Sequence, residues 1–214
     1  NDGSNQENLR FIEIGKENNY DYIFKLVDIG GKPAYTAEKS GQKAVVVYEN
    51  KEIGNIENQL FAFNNLIDVG GKPAFLAGEN GKYYFILDGK EIWKGYDTVL
   101  TPATFMGARI EAVGDKLLFV ALKNNKTVIV FGDQERGYDY NMVSFPAVIG
   151  GKLAFTATVG TKSFIVYDGK EFGKEYTSAD QPFDAGGKLA FRASNFGQSF
   201  LVYDDKEIGK EYEF

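Results

Sequence analysis

Three aspartates, Asp28, Asp68 and Asp184, each stand two residues ahead of a Gly-Gly pair, with Glu111 close to the matching place in a further stretch. Carboxylates that recur in this way can do two kinds of chemistry. Brought together, they bind a cation through hard oxygen ligands, or they supply the acid and base of a glycosidase, set about 6.5–9.5 Å apart in the inverting type. A local reading competes with both: an acid just before a tight turn can cap that turn. A second recurring group joins an aromatic ring to an acid at Tyr20-Asp21, Tyr96-Asp97 and Tyr138-Asp139, with Tyr176 and Tyr212 lacking the acid. Such rings can stack on a sugar or hold a peptide, or they can pin one repeat to the next.

Other chemistries are closed to this chain. It has no cysteine and no histidine, which removes disulfides, thiolate nucleophiles, Cys-ligated zinc and Ser-His-Asp catalysis. Reactions would have to run on carboxylates, Lys, Tyr, Ser or Thr. No phosphate-cradling GxGxxG is present, and the glycines fall at turn positions. No residue is assigned as catalytic or metal-ligating, and no cofactor is expected. The formal charge of −6 and pI near 4.9 argue against nucleic acid and anionic membranes as partners. No apolar run approaches the roughly 20 residues of a membrane span. The polar opening NDGSNQEN reads as a tail over residues 1–10 and suits a secreted or cell-surface protein.

The candidate residues are positioned by a repeat. The stretch 150–176 reads GGKLAFTATVGTKSFIVYDGKEFGKEY, and the same text begins again at Gly30, Gly70 and Gly186, and in eroded form at Gly114. Each copy gives four strands: one ending at the glycine turn, a second leading into a short loop, a third, and a polar fourth after an Asn, Asp or Gly turn. Those last turns are placed at Asn50-Lys51, Asp88-Gly89, Gly132-Asp133, Asp168-Gly169 and Asp204-Asp205. The second strand carries Tyr35, Phe75, Phe119, Phe155 and Phe191 on one parity, and Ala34, Ala74, Leu118, Ala154 and Ala190 on the other. Both faces are apolar, as in a strand buried on both sides. Small residues opposite large ones let neighbouring sheets interdigitate. The fourth strand, with its Lys-Glu text, reads as a solvated rim that resists edge pairing.

This reading predicts an all-β, five-bladed β-propeller of four-stranded antiparallel blades. One propeller domain is expected over residues 11–214, with blades near 22–60, 61–100, 101–141, 142–179 and 180–214. Glu13-Ile14-Gly15-Lys16-Glu17 repeats Glu207-Ile208-Gly209-Lys210-Glu211, so residues 11–19 are expected to act as a closing strand in competition with the C-terminal copy. The pattern of Gly-Gly-Lys, a small-aromatic pair and a later Asp-Gly resembles the WD-repeat-like β-propeller repeats of the TolB type, over residues 22–214. The SPD tripeptide of that repeat is missing here, as is the WD-repeat histidine. The resemblance implies a binding platform.

A propeller places its variable connections on one edge of the blades and its tight turns on the other. The longest connection, residues 97–108, holds Leu100, Pro102, Phe105 and Met106. The ligand-binding residues expected on this edge are Tyr96, Asp97, Phe105, Tyr138 and Asp139. The function expected is a non-catalytic module that binds a protein or carbohydrate partner. The alternatives are a lectin-like propeller with one sugar site per blade and a carboxylate-based glycosidase.

Overall fold

Glycine pairs set the first hairpin of most blades. Gly30 and Gly31 take φ values of 60° and 80°, and Gly70-Gly71, Gly150-Gly151 and Gly186-Gly187 repeat the pattern. Two successive positive φ angles make the turn whose twist matches that of paired strands. The computed structural model describes residues 20–38, 44–56, 66–101, 110–173 and 176–209. The expected tail, the closing strand at 11–19, Phe105 and most of the 97–108 connection lie outside those residues. Every regular element described is a strand. The chain is an all-β, five-bladed propeller of four-stranded antiparallel blades, each a meander of sequence neighbours.

Two compact units divide the chain, Asn1–Asp97 and Thr98–Phe214. In the first, blade one is built from Tyr22–Ile29, Lys32–Glu38, Ala44–Tyr48 and Lys51–Ile56. Blade two follows as Ile67–Asp68, Pro73–Glu79, Lys82–Leu87 and Lys90–Tyr96. Ala34, Ala44 and Val46 of blade one pack against Phe75, Ala77 and Ile86 of blade two. Full burial of a side chain such as Phe75 stabilises the unit by about 1.5–3 kcal/mol.

The second unit holds three blades. Blade three comprises Ile110–Val113, Lys116–Lys123, Lys126–Phe131 and Gln134–Tyr138. Blade four comprises Met142–Ile149, Lys152–Val159, Lys162–Tyr167 and Lys170–Phe172. Blade five comprises Leu189–Asn195, Gln198–Tyr203 and Lys206–Ile208, with its first strand in two pieces, Ser178–Ala179 and Phe183–Asp184. Phe155, Ala157 and Phe164 pack on Leu118, Val120 and Ile129, and Phe191, Ala193 and Phe200 pack on Ala154 and Ile165. Aromatic rings thus pack on aliphatic side chains at both blade interfaces. Glycine is needed where two turns meet: a Cβ on Gly150 would lie 2.8 Å from the Gly187 carbonyl oxygen, and one on Gly30 would lie 3.2 Å from that of Gly71.

Two expectations are corrected in detail. The last turn of blade one is Glu49-Asn50, both at positive φ, and Lys51 already begins the strand. Asn50 tolerates the positive φ that the second turn place requires, where Lys51 would be strained, so the register moves by one. The 97–108 connection does not begin as a loop. Thr98–Val99 pairs with Ala121 and Leu122 of blade three, and the Leu100 N–H donates to the Val120 carbonyl at 2.9 Å. Leu100 packs against the core between blades three and four.

Candidate functional site

The recurring aspartates are turn caps. Asp28 Oδ1 accepts the Gly31 N–H at 2.8 Å, Asp68 Oδ1 accepts that of Gly71 at 2.7 Å, and Asp184 Oδ1 accepts that of Gly187 at 2.5 Å. Each carboxylate thereby holds a backbone donor of its own glycine turn. Asp184 Oδ2 also accepts the Gly150 N–H at 3.4 Å, a long contact from the neighbouring blade. The described residues contain no cluster of three or more acids disposed to hold a metal ion.

Two of the recurring tyrosines, Tyr20 and Tyr176, and one outside that set, Tyr140, clasp blades. Tyr20 donates to Glu52 Oε1 at 2.8 Å, Tyr140 to Glu171 Oε1 at 2.9 Å, and Tyr176 to Glu207 Oε1 at 2.7 Å. In each case a ring lying ahead of a blade reaches the glutamate on that blade's last strand. Burial, reinforced by the hydrogen bond to Glu171 and its charge, pushes the Tyr140 hydroxyl up to about 12. Tyr20 is raised further by the same causes, burial first and Glu52 second. These glutamates belong to the Lys-Glu text read as rim, so their second role was missed. The signal was available as a fixed separation from tyrosine to glutamate of 31 or 32 residues.

The expected binding residues are placed as follows. Tyr96 is 0% exposed, so its ring serves packing. Asp97 ion-pairs with Lys82 in blade two. Tyr138 is half-buried, with its ring 4.7 Å from Phe155 and 5.9 Å from Tyr140, and burial raises its hydroxyl against a smaller opposing effect of Arg136. Asp139 is exposed and pairs with Lys126 at 2.8 Å. Tyr96 and Asp97 belong to the first unit, Tyr138 and Asp139 to the second.

The connection edge of the second unit holds features the expected set did not include. Phe196 is 95% exposed and takes a φ of 47° in the turn between the second and third strands of blade five. Asn80 in blade two and Asn124 in blade three hold the same turn place at positive φ, and Gly160 holds it in blade four. Positive φ is natural for asparagine and glycine and is unfavourable for a bulky ring. Met142 and Val159 are exposed on the same edge of blade four. Beside them a cleft of about 560 Å³ is lined by Met142, Phe145, Thr158, Thr161, Asp180 and Gln181, among others. Phe145 sits at φ 50° in the bulge between Ser144 and Ala147. Thr156 closes the cleft floor by donating to the Asp180 carbonyl at 3.0 Å. An alignment of the turns alone would have singled out Phe196 as the apolar residue in an asparagine position.

No known protein family and no curated protein sequence matches the chain. Among solved structures, the chain is similar to the beta-propeller domain of the Trilobed protease from Pyrococcus furiosus, described as having an open velcro topology. The identity is 15%, over 90% of this chain and 68% of that one, with a TM-score of 0.46.

Proposed function

We propose that this chain is a non-catalytic binding module that engages a protein partner through the connection edge of its second unit. The carrying observation is Phe196, a fully exposed ring at a turn position whose backbone favours asparagine. Exposed apolar groups grouped on one edge are the usual material of an interface, and Met142 and Val159 extend the patch. Tyr138 and Asp139, at the end of blade three, border the same edge. The repeated aspartates support the non-catalytic half of the reading, since each already caps a turn. A lectin with one site per blade would repeat its site residues, whereas Phe196 gives way to asparagine in blades two and three and to glycine in blade four at the same turn place.

Phe196→Asn tests this. The variant copies the residue of blades two and three, so its melting temperature should hold or rise. Capture of partners from the native source should fall by at least about tenfold, or about 1.4 kcal/mol, relative to the parent chain. A glycan array run in parallel separates the sugar reading. Undiminished protein capture by Phe196→Asn, or glycan binding that Phe196→Asn leaves intact, would sink the proposal.

A further inference from the structure

The opposite edge of the blades, where the tight turns lie, departs from the repeat at two places in blade three. The third residue of the last strand is Ile53, Ile92, Phe172 and Ile208 in the other blades. Ile53 and Phe172 pack against the cores between blades. Blade three has an exposed Arg136 there, opposite Ile129. The other departure is in the turn. In blades one, four and five the lysine after the glycine turn ion-pairs with the acid that opens the last turn: Lys32 with Glu49, Lys152 with Asp168 at 2.7 Å, and Lys188 with Asp204 at 2.5 Å. Blade three has Gly132 in place of that acid. Lys116 makes no ion pair among the described residues, and its ammonium lies 5.4 Å from the centre of the Phe131 ring.

The two changes coincide with a cleft of about 220 Å³ between blades three and four. Lys116, Arg136 and Lys152 line it, together with Asp133 and Asp168. Lys152 and Asp168 satisfy each other, which leaves Asp133 as the other lining carboxylate against Lys116 and Arg136. Arg136 also donates to Gln134 Oε1 at 2.8 Å. Three cations and two carboxylates leave a single surplus positive charge on a chain whose formal charge is −6. Asp168 is held below the usual carboxylate value by its hydrogen bond to Lys152 first, with smaller contributions from the Lys170 and Arg136 charges. Ile129 and Phe131 give the cleft an apolar side.

We propose that this cleft binds a small monocarboxylate with a short apolar body. Arg136 offers a planar fork that matches a carboxylate in two parallel hydrogen bonds, and Lys116 adds a second donor. Ile129 and Phe131 cover the body, as in small-molecule sites where a few polar groups orient an apolar ligand. One surplus charge matches one anion, and the acidic chain as a whole repels polyanions.

Benzoate is the probe, with benzyl alcohol as its uncharged counterpart and inorganic phosphate as an anion without a body. Each is titrated into the full chain and followed by heteronuclear NMR. Benzoate should bind saturably with a Kd of about 1 mM, shifting the Arg136 and Phe131 signals, and the other two should bind at least about tenfold more weakly. Arg136→Ile and Gly132→Asp each restore the residue type of the other blades, so both should remain folded. Each should weaken benzoate by about tenfold. If Arg136→Ile fails to fold, Gly132→Asp decides alone, because it answers Lys116 with a carboxylate without touching the last strand. Absence of saturable benzoate binding overturns the proposal. So does equal binding of benzyl alcohol or phosphate, or affinity undiminished in the folded variants.

Discussion

A tyrosine hydroxyl bonded to a carboxylate at the protein surface ties stability to pH on the alkaline side. The Tyr140 hydroxyl is raised from 10.0 to about 12 in the folded chain, by burial first and by Glu171 second. A raised value means that the folded state keeps its proton longer than the unfolded state does. The stabilisation is therefore complete below about pH 10 and is lost as pH climbs through about 12. Tyr140→Phe should lower stability by about 1 kcal/mol at neutral pH, the usual worth of one hydrogen bond. It should also make the fall in stability above pH 10 shallower. Urea titrations across that range check both, and an unchanged alkaline slope would show that the clasp carries no linkage. Asp168 gives the acid side with the opposite sign: its lowered value stabilises above the ordinary carboxylate range and is lost as pH falls through it.

At the scale of the element, the meeting of neighbouring glycine turns is the least forgiving point described. Gly150→Ala places a methyl 2.8 Å from the Gly187 carbonyl oxygen at a φ of 54°. Backbone cannot yield as a side-chain tip can, and the variant should lose about 1–3 kcal/mol or more. Gly151→Ala also strains the backbone, at φ 78°, but meets no atom within 4 Å. It should cost clearly less, and chemical denaturation of the two variants compares them directly. Equal losses would assign the whole effect to φ and none to the contact.

These elements were legible in the sequence because each blade states its strands through local signals. The glycine pairs, the alternating Phe and Ala of the second strand, and the Asp-Gly turns all act within a few residues. The Glu49-Asn50 turn slipped by one because either neighbouring pair contains a residue suited to a turn. The functional candidates were harder to read. Tyr96 has the same sequence signature as the half-buried Tyr138, yet its ring is fully buried. Which of two equivalent tyrosines faces solvent depends on packing between distant strands. Arg136 and Gly132 become informative only when the last strands of all five blades are set side by side.

Across the whole molecule, the absence of histidine and cysteine leaves a wide pH range with few titrating groups. Ordinary carboxylates finish titrating below about pH 5.5, and lysine and tyrosine begin above about pH 9. Folding stability should therefore be flat between about pH 6 and pH 8.5, with only a chain-terminal amine to perturb it. Thermal melts in that window check this, and a slope of one proton or more would require a strongly shifted group. A partner whose binding varies across the same window must supply the titrating group itself.

The tyrosine clasps carry a consequence for synthesis. Tyr140 precedes every strand of blade four, while Glu171 lies on the last of them, so the bond encloses the whole blade in sequence. Tyr176 and Glu207 enclose blade five in the same way. On the ribosome the tyrosine emerges first and has no acceptor until the final strand of its blade has been made. The latch thus shuts on a complete sheet and on nothing shorter, which suits a nascent chain that acquires its structure from the N-terminal side onward. A chain arrested between residues 140 and 171 carries blade four unlatched, with a strand edge that its last strand would have covered.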